Sequence, residues 1–346
     1  MQEGLVIMKI SKLGEFGLIE ALAQKIPLHS DRVIKGIGDD TAVLSPEPGK
    51  LLLMTTDMIV EDIHFSLSYC SLHSVGWKAM AVNISDIAAM GGEPSCAVIS
   101  VSIPPDWGMK QAEDLYAGLI ECAREYETDI VGGDTVHSTG GLTVNAALLG
   151  YVESDRVVYR SGACPGDVIM VTGPLGGSAA GLYVLNHSLP DLDTEFKDEV
   201  TALHLYPRAR VREGRVLGDF HKSGDVGAMN DISDGLAGEV LEICKAGGTG
   251  CELYENDIPF SLATAAIGDS AGVSPLKWAL YGGEDFELVF TVKPDSMAKV
   301  ASALREIGRS SCTVGKITTP DRGYLLVGVN NGLTELEPGG YNHFAE

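Results

Sequence analysis

Asp231-Ile232-Ser233-Asp234-Gly235 puts two carboxylates in one short motif, with a hydroxyl between them and a glycine after. An apolar lead-in, Val226-Gly227-Ala228-Met229, comes before it. Leu236-Ala237-Gly238-Glu239-Val240-Leu241-Glu242-Ile243 follows with helical spacing. The motif therefore sits where a strand gives way to a helix, and the expected fold class is α/β (α+β). Acids at such a junction can converge on a ligand. Asp and Ser are also favoured helix N-caps, but a cap uses only one of these residues. Carboxylates clustered without Lys or Arg repel one another unless a cation is bound, so metal binding is the favoured reading.

Other acids stand in similar company. Ile84-Ser85-Asp86 repeats the tripeptide inside an apolar helix expected over Trp77 to Met90. Asn83 and Asp86 share a face of that helix. An Asp there is costly without a ligand or backbone partner. Leu51 to Asp57 reads as a buried strand ending in Thr55-Thr56-Asp57, the end at which α/β proteins hold ligands. Gly36-Ile37-Gly38-Asp39-Asp40 and Ile130-Val131-Gly132-Gly133-Asp134-Thr135 read as glycine turns carrying acids. Trp278 to Asp285 ends in a third such turn. Arg160-Ser161-Gly162 offers a cation suited to phosphate. Pro174-Leu175-Gly176-Gly177-Ser178 opens a helix but lacks the Lys-Ser/Thr ending of a Walker A loop. A helix N-terminus there can still hold an anion. Residues 186–200 read as a polar surface excursion. Ile-Ser-Asp and Gly-Gly recur in the same order at nearly equal offsets, the echo expected of two related halves.

The whole chain narrows the classes. Its 346 residues suffice for two domains, with a boundary over Gly150 to Gly166. A formal net charge of −23 argues against nucleic acid. It does not argue against a phosphorylated small molecule, provided metal ions supply positive charge. The seven Cys lack C-x-x-C spacing and read as reduced residues of a cytoplasmic protein. No signal peptide or membrane span is expected. Hard carboxylate oxygens suit Mg²⁺, and no His/Cys pair has zinc spacing.

Taken in order, GIGDD (36–40), TTD (55–57), HF (64–65), AVNISDIAAMGGEP (81–94), GGDT (132–135), RSGA (160–163), VTGPLGGSAAGL (171–182), DISDGL (231–236) and GGEDFEL (282–288) form a set. That set resembles the thiamine-monophosphate kinase family, part of the ATP-binding superfamily named for aminoimidazole ribonucleotide synthetase. The resemblance runs from Gly14 to Phe344. Two sister families match less well. Selenophosphate synthetase uses an N-terminal Cys or selenocysteine, whereas the first Cys here is Cys70. The hydrogenase-maturation protein ends in a reactive Cys, and this chain ends Asn342-His343-Phe344-Ala345-Glu346.

The resemblance implies an N-terminal α/β domain over 14–155 whose sheet pairs with its twin in a homodimer. It implies a C-terminal α/β domain over 156–346. It implies that Asp40, Asp57, Asp86, Asp134, Asp231 and Asp234 hold several Mg²⁺ ions, with Thr56 and Thr55 helping. Tyr116, Gly133, Asp134, Arg160 and Ser233 would contact ATP. His64, Glu284 and Tyr341 would contact thiamine phosphate. The implied reaction moves the γ-phosphoryl of ATP to the phosphate of thiamine monophosphate. Its nucleophile is a phosphate oxygen whose second pKa is about 6, so no general base is expected and transfer is direct. The alternatives are a superfamily enzyme with another acceptor and an ATP/Mg²⁺ sensor that does not turn over.

Overall fold

A computed structural model describes residues 10–37, 41–337 and 339, apart from the side chains of 10–16. Asp39, Asp40 and Tyr341 therefore lie outside the described residues. The chain is mixed α/β throughout. It divides into two compact units. The first takes residues up to Ile84 together with Pro94–Tyr151, and the second takes Ser85–Glu93 with the chain from Val152 onward.

In the first unit lie α1 (Ile10–Ala23), β1 (Val33–Lys35), β2 (Val43–Leu44), β3 (Lys50–Val60) and the larger part of α2 (Leu72–Ala89). There follow β4 (Glu93–Ile103), α3 (Met109–Glu125), β5 (Asp129–His137) and β6 (Thr143–Glu153). The main sheet has the order β3-β6-β4-β5, with β4 and β5 parallel. Alternate residues of β4 are buried: Ala97, Ile99, Val101 and Ile103. α3 buries Ala112, Leu115, Leu119 and Cys122, a stripe at helical spacing.

Two sequence expectations change here. β3 is not a buried strand: Leu51, Leu52 and Met54 are 42%, 57% and 73% exposed. It is an edge strand, and an apolar run says nothing about which edge or face is covered. The glycines at 132–133 do not turn the chain, since β5 runs straight through them. Gly133 is needed for a different reason. A Cβ on it would lie 1.9 Å from the Ile99 carbonyl oxygen of the neighbouring strand.

The second unit contains β7 (Val168–Val171), α4 (Gly177–Asn186), α5 (Thr194–Leu205), α6 (Val211–Lys222), β8 (Val226–Asp231) and α7 (Leu236–Gly247). It continues with β9 (Gly250–Tyr254), α8 (Leu262–Ala271), α9 (Pro275–Tyr281), β10 (Leu288–Val292), α10 (Met297–Glu306), β11 (Cys312–Thr318), β12 (Tyr324–Val327) and β13 (Leu333–Glu335). Seven strands pair in the order β13-β12-β9-β11-β7-β10-β8, with β12 and β9 parallel.

Both faces of this sheet's centre are covered. Val289 of β10 packs with Ile169, Leu236, Val240 and Ile243 on one side. Leu288, Phe290 and Val292 pack with Leu217, Val300 and Leu304 on the other. A strand buried on both faces reads as an unbroken apolar run, and Leu-Val-Phe-Thr-Val is one. The expected surface excursion at 186–200 is exposed over most of its length, but from Thr194 onward it is helix. Asp193 caps α5 by accepting from the Glu195 N–H, and α5 buries Val200 and His204. Its polar composition hid the start signal, an Asp followed by Thr-Glu.

Candidate functional site

In the second unit the opening motif lies as the sequence expects, at the junction of β8 and α7. Its neighbour is the GGEDFEL segment. β8 and β10 pair antiparallel with Asp231 opposite Leu288. The ladder continues outward: Phe286 N–H donates to the Ile232 carbonyl (2.8 Å) and Glu284 N–H to the Ser233 carbonyl (2.7 Å). Two motifs far apart in sequence thus form one rim. The chain turns into α7 at Gly235 with φ +99, where a Cβ would lie 2.6 Å from the Leu280 carbonyl oxygen.

Asp231 is 4% exposed and accepts a hydrogen bond from the Ser85 hydroxyl at 2.6 Å. Burial, and then the nearby Asp86 carboxylate, push its pKa up to about 8, against the pull of the Ser85 hydrogen bond. The Ile-Ser-Asp pair singled out in sequence therefore meets the opening motif: Ser85 bonds Asp231, and Asp86 lies close enough to repel it. Ser233 is half-buried and Asp234 exposed. Both are tied to α7, since Ser233 Oγ and Asp234 N–H each donate to Glu239 Oε1 at 3.1 Å. Arg160 reaches the same rim, its Nε donating to Asn230 Oδ1 at 3.0 Å. Sequence reasoning missed Glu239 and Asn230. A carboxylate one turn into an apolar helix was the signal, and it is the argument already applied to Asp86.

Glu284 adopts φ +69, a left-handed backbone that a non-glycine residue rarely takes. Its carboxylate lies 3.3 Å from Nδ1 of buried His204, which also meets Ser178 Oγ at 3.0 Å. The adjacent Asp285 turns inward. It accepts from the N–H groups of Gly176 (2.6 Å) and Ser178 (3.2 Å) at the start of α4. Burial raises its pKa to about 7, with those amide bonds opposing. The anion expected at the 174–178 loop is thus a carboxylate of the chain itself.

In the first unit, Thr55, Thr56 and Asp57 lie on β3. Asn83 Oδ1 accepts from the Asp57 N–H (2.9 Å), and Asn145 Nδ2 donates to the Asp57 carbonyl (3.0 Å) and to Thr56 Oγ1 (2.9 Å). His64 Nδ1 accepts from the Val60 N–H at 3.0 Å, which leaves the proton of the neutral ring on Nε2. Tyr116, Gly133 and Asp134 line one cleft with Leu22, Ile26 and Thr135, about 410 Å³ including its open mouth. Burial pushes the Tyr116 phenol up to about 12, while a hydrogen bond with Thr135 opposes. Asp57 and Asp134 are not together: β3 and β5 are opposite edges of the sheet. Among the described residues no group of three or more His, Cys, Asp or Glu is gathered as a metal site. No described helix is long and apolar enough to cross a membrane.

Comparison with known proteins bears on this arrangement directly. Residues 38–152 match the model of the AIR synthase related protein N-terminal domain, and 164–328 that of its C-terminal domain. Thiamine-monophosphate kinase of Bacillus subtilis is 35% identical over 335 residues, covering 96% of this chain and 100% of that protein. The chain belongs to the thiamine-monophosphate kinase family. The Escherichia coli K12 member is also 35% identical, over 96% of this chain and 98% of its own. A crystal structure of the Stenotrophomonas maltophilia enzyme superposes with a TM-score of 0.77 at 27% identity, over 89% of this chain and 94% of that one. A structure of AaThiL complexed with AMPPCP and TMP superposes at 0.73 with 31% identity, over 98% and 100%. The hydrogenase maturation protein HypE of E. coli, at 21% identity and a TM-score of 0.75, shares the fold.

Proposed function

We propose that this chain transfers the γ-phosphoryl group of ATP to the phosphate of thiamine monophosphate, giving ADP and thiamine diphosphate. The family relationship over nearly the whole chain carries the choice of acceptor. It is supported by a relative seen with AMPPCP and TMP together.

The donor chemistry at Asp231 fits a hard divalent cation. A buried carboxylate facing a second carboxylate is under electrostatic load that Mg²⁺ would relieve. In this reading Asp86, Asp231 and Asp234 hold Mg²⁺ in the second unit. In the first, Asp57 with Thr55 and Thr56 on one sheet edge, Asp134 on the other, and Asp40 are assigned to Mg²⁺ by the family resemblance, as separate points of attachment. Bound Mg²⁺ would supply the positive charge that lets two phosphates approach. The chain's own residues do the rest. Arg160 presents its Nη groups to a nucleotide phosphate, its Nε being engaged by Asn230. Ser233 stands on the same rim as a hydroxyl contact. Tyr116 and Gly133 line one open cleft and are assigned to ATP by the family resemblance. The family resemblance assigns thiamine-phosphate contacts to His64, which can donate from Nε2, to Glu284 and to Tyr341. The attacking phosphate oxygen is already ionised near neutrality, so transfer is in line and no side chain removes a proton.

The homodimer belongs to the same proposal. The outer face of the four-stranded sheet exposes Leu52, Met54, Met58, Val98 and Val136 at 39–73%. Exposed apolar side chains on a sheet suit burial against a twin sheet.

The test is ADP release by the full chain with ATP and Mg²⁺, with thiamine monophosphate, with other phosphorylated acceptors, and with none. Release that requires thiamine monophosphate, with thiamine diphosphate identified as product, is expected. A preference for another acceptor would overturn the substrate, and nucleotide binding without turnover would overturn the enzyme.

A further inference from the structure

Glu239 and Asn230 are 5% and 2% exposed, and neither is a candidate ligand for substrate or metal. They nonetheless link three residues that are. Glu239 Oε1 accepts from Ser233 Oγ and the Asp234 N–H, both at 3.1 Å. Glu239 Oε2 accepts from Asn230 Nδ2. Asn230 Oδ1 then accepts from Arg160 Nε at 3.0 Å. The order of donors and acceptors runs one way. An ionised carboxylate only accepts, so it turns the amide nitrogen of Asn230 toward itself and the amide oxygen toward Arg160.

We infer that Glu239 is a positioning residue. Through Asn230 it aims the Arg160 guanidinium, and with its other oxygen it holds the Ser233–Asp234 loop. This rests on the nucleotide-binding role proposed for Arg160 and Ser233. The backbone beneath Arg160 is already fixed, since a Cβ on Gly162 would lie 2.0 Å from the Gly227 carbonyl oxygen. With the backbone held there, the Nε hydrogen bond decides where the fork points. Fixing a guanidinium before the ligand arrives lowers the ordering cost of binding. The buried position of the relay keeps water from substituting for its members.

The two-oxygen role makes Glu239→Gln a sharp probe, because it changes almost no volume. Gln has one acceptor oxygen. If that oxygen serves Ser233 and Asp234, the Gln amide nitrogen faces Asn230. Asn230 must then turn its oxygen inward and present Nδ2 to Arg160 Nε, donor against donor. If instead the oxygen serves Asn230, the loop loses its acceptor.

The experiment measures AMPPCP binding with Mg²⁺ by calorimetry in the full chain and in Glu239→Gln, Arg160→Ala and the double variant. Glu239→Gln is expected to weaken binding about 10–100-fold, the range for residues that orient ligand-contacting groups. In the Arg160→Ala background the same change is expected to cost no more than about threefold, that remainder coming from the loop. Equal penalties in both backgrounds would show that Glu239 does not act through Arg160 and would overturn the inference. Should Glu239→Gln fail to fold, Asn230→Ala cuts only the Arg160 limb, and the same cycle applies with the same two outcomes. Because the readout is nucleotide binding, coupled penalties without thiamine-monophosphate turnover would refute the acceptor and keep the relay. Turnover with uncoupled penalties would do the reverse, and a wild-type chain that does not bind AMPPCP would refute both.

Discussion

Replacing Asp231 with asparagine removes a buried negative charge while keeping an oxygen for the Ser85 hydroxyl. Burial and Asp86 raise the Asp231 pKa from an ordinary 3.8 to about 8. At ~1.4 kcal/mol per pH unit, that interval sets a ceiling of ~6 kcal/mol on the cost of ionising the folded protein. Water entry and side-chain movement reduce it, and ~2–3 kcal/mol is the expected size at the effective dielectric of protein sites. The sign follows from the raised value. Well below pH 3.8 the group is protonated in both folded and unfolded chains and costs nothing. As pH rises the unfolded chain ionises first, so stability is lost progressively until pH passes about 8. Without divalent ions, Asp231→Asn should therefore melt ~5–10 °C higher than the wild type at pH 9. The gain should shrink to a degree or two near pH 4.5. Saturating Mg²⁺ should raise the wild-type melting temperature at pH 9 by more than that of the variant. With Mg²⁺ and both substrates present, turnover of the variant should fall at least ~100-fold, losing a contact made to developing charge. A variant less stable than the wild type at pH 9, or a difference independent of pH, would refute the electrostatic reasoning.

Asp134→Asn should cost turnover by ~100-fold or more and shift the melting temperature by less than ~2 °C, because the side chain is exposed on β5. Equal loss of both would contradict its assignment as a ligand. Gly133→Ala places a methyl 1.9 Å from the Ile99 carbonyl oxygen, so β4 and β5 must part at a cost of ~2–4 kcal/mol in urea unfolding. An unchanged midpoint would show that the close approach is not there. Met54→Lys with Met58→Lys charges the exposed sheet face, and light scattering should find monomers where the wild type gives dimers. A variant that stays dimeric would move the interface elsewhere.

Much of this was legible in the residues, and the reasons differ from place to place. The β8–α7 junction could be read because an apolar run, two acids and a glycine change period within a few positions. The pairing of Ser85 with Asp231 could not, because 145 residues separate them and only the fold brings them together; sequence showed the shared tripeptide, not the contact. The glycines at 132–133 were visible but ambiguous. The same residue serves a turn or a close backbone approach, and only the neighbouring Ile99 carbonyl decides. The loop at 174–178 shows the glycines of an anion-accepting helix start, but the carboxylate that takes its N–H groups, Asp285, lies more than 100 residues away. Glu239 was overlooked although its composition signal equalled that of Asp86, because a Glu near a helix start is ordinarily an electrostatic convenience.

The buried acids differ in whether their partners carry charge. Glu287 is held by Arg210 in a bidentate pair at 2.6 and 2.9 Å, Glu252 by Lys316 and Arg322, and Glu213 by Arg309. These charges are neutralised inside the chain and have little left to offer a ligand. Asp231 and Glu239 are held by a serine hydroxyl, an amide nitrogen and a backbone N–H. Such donors fix an oxygen in place without cancelling its charge. Arg160 is the last of the influences on Asp231, after burial, Asp86, Ser85 and Glu239. A chain carrying −23 overall repels polyanions only over the screening distance, about 8 Å at physiological salt. What decides phosphate binding is therefore the local set, and the local set on this rim is fixed but not neutralised. That is the arrangement required if the compensating charge arrives with the substrate, as Mg²⁺ on ATP would bring it. Cation-free and cation-loaded chains should then differ in stability most at high pH, where the uncancelled charge on Asp231 is complete.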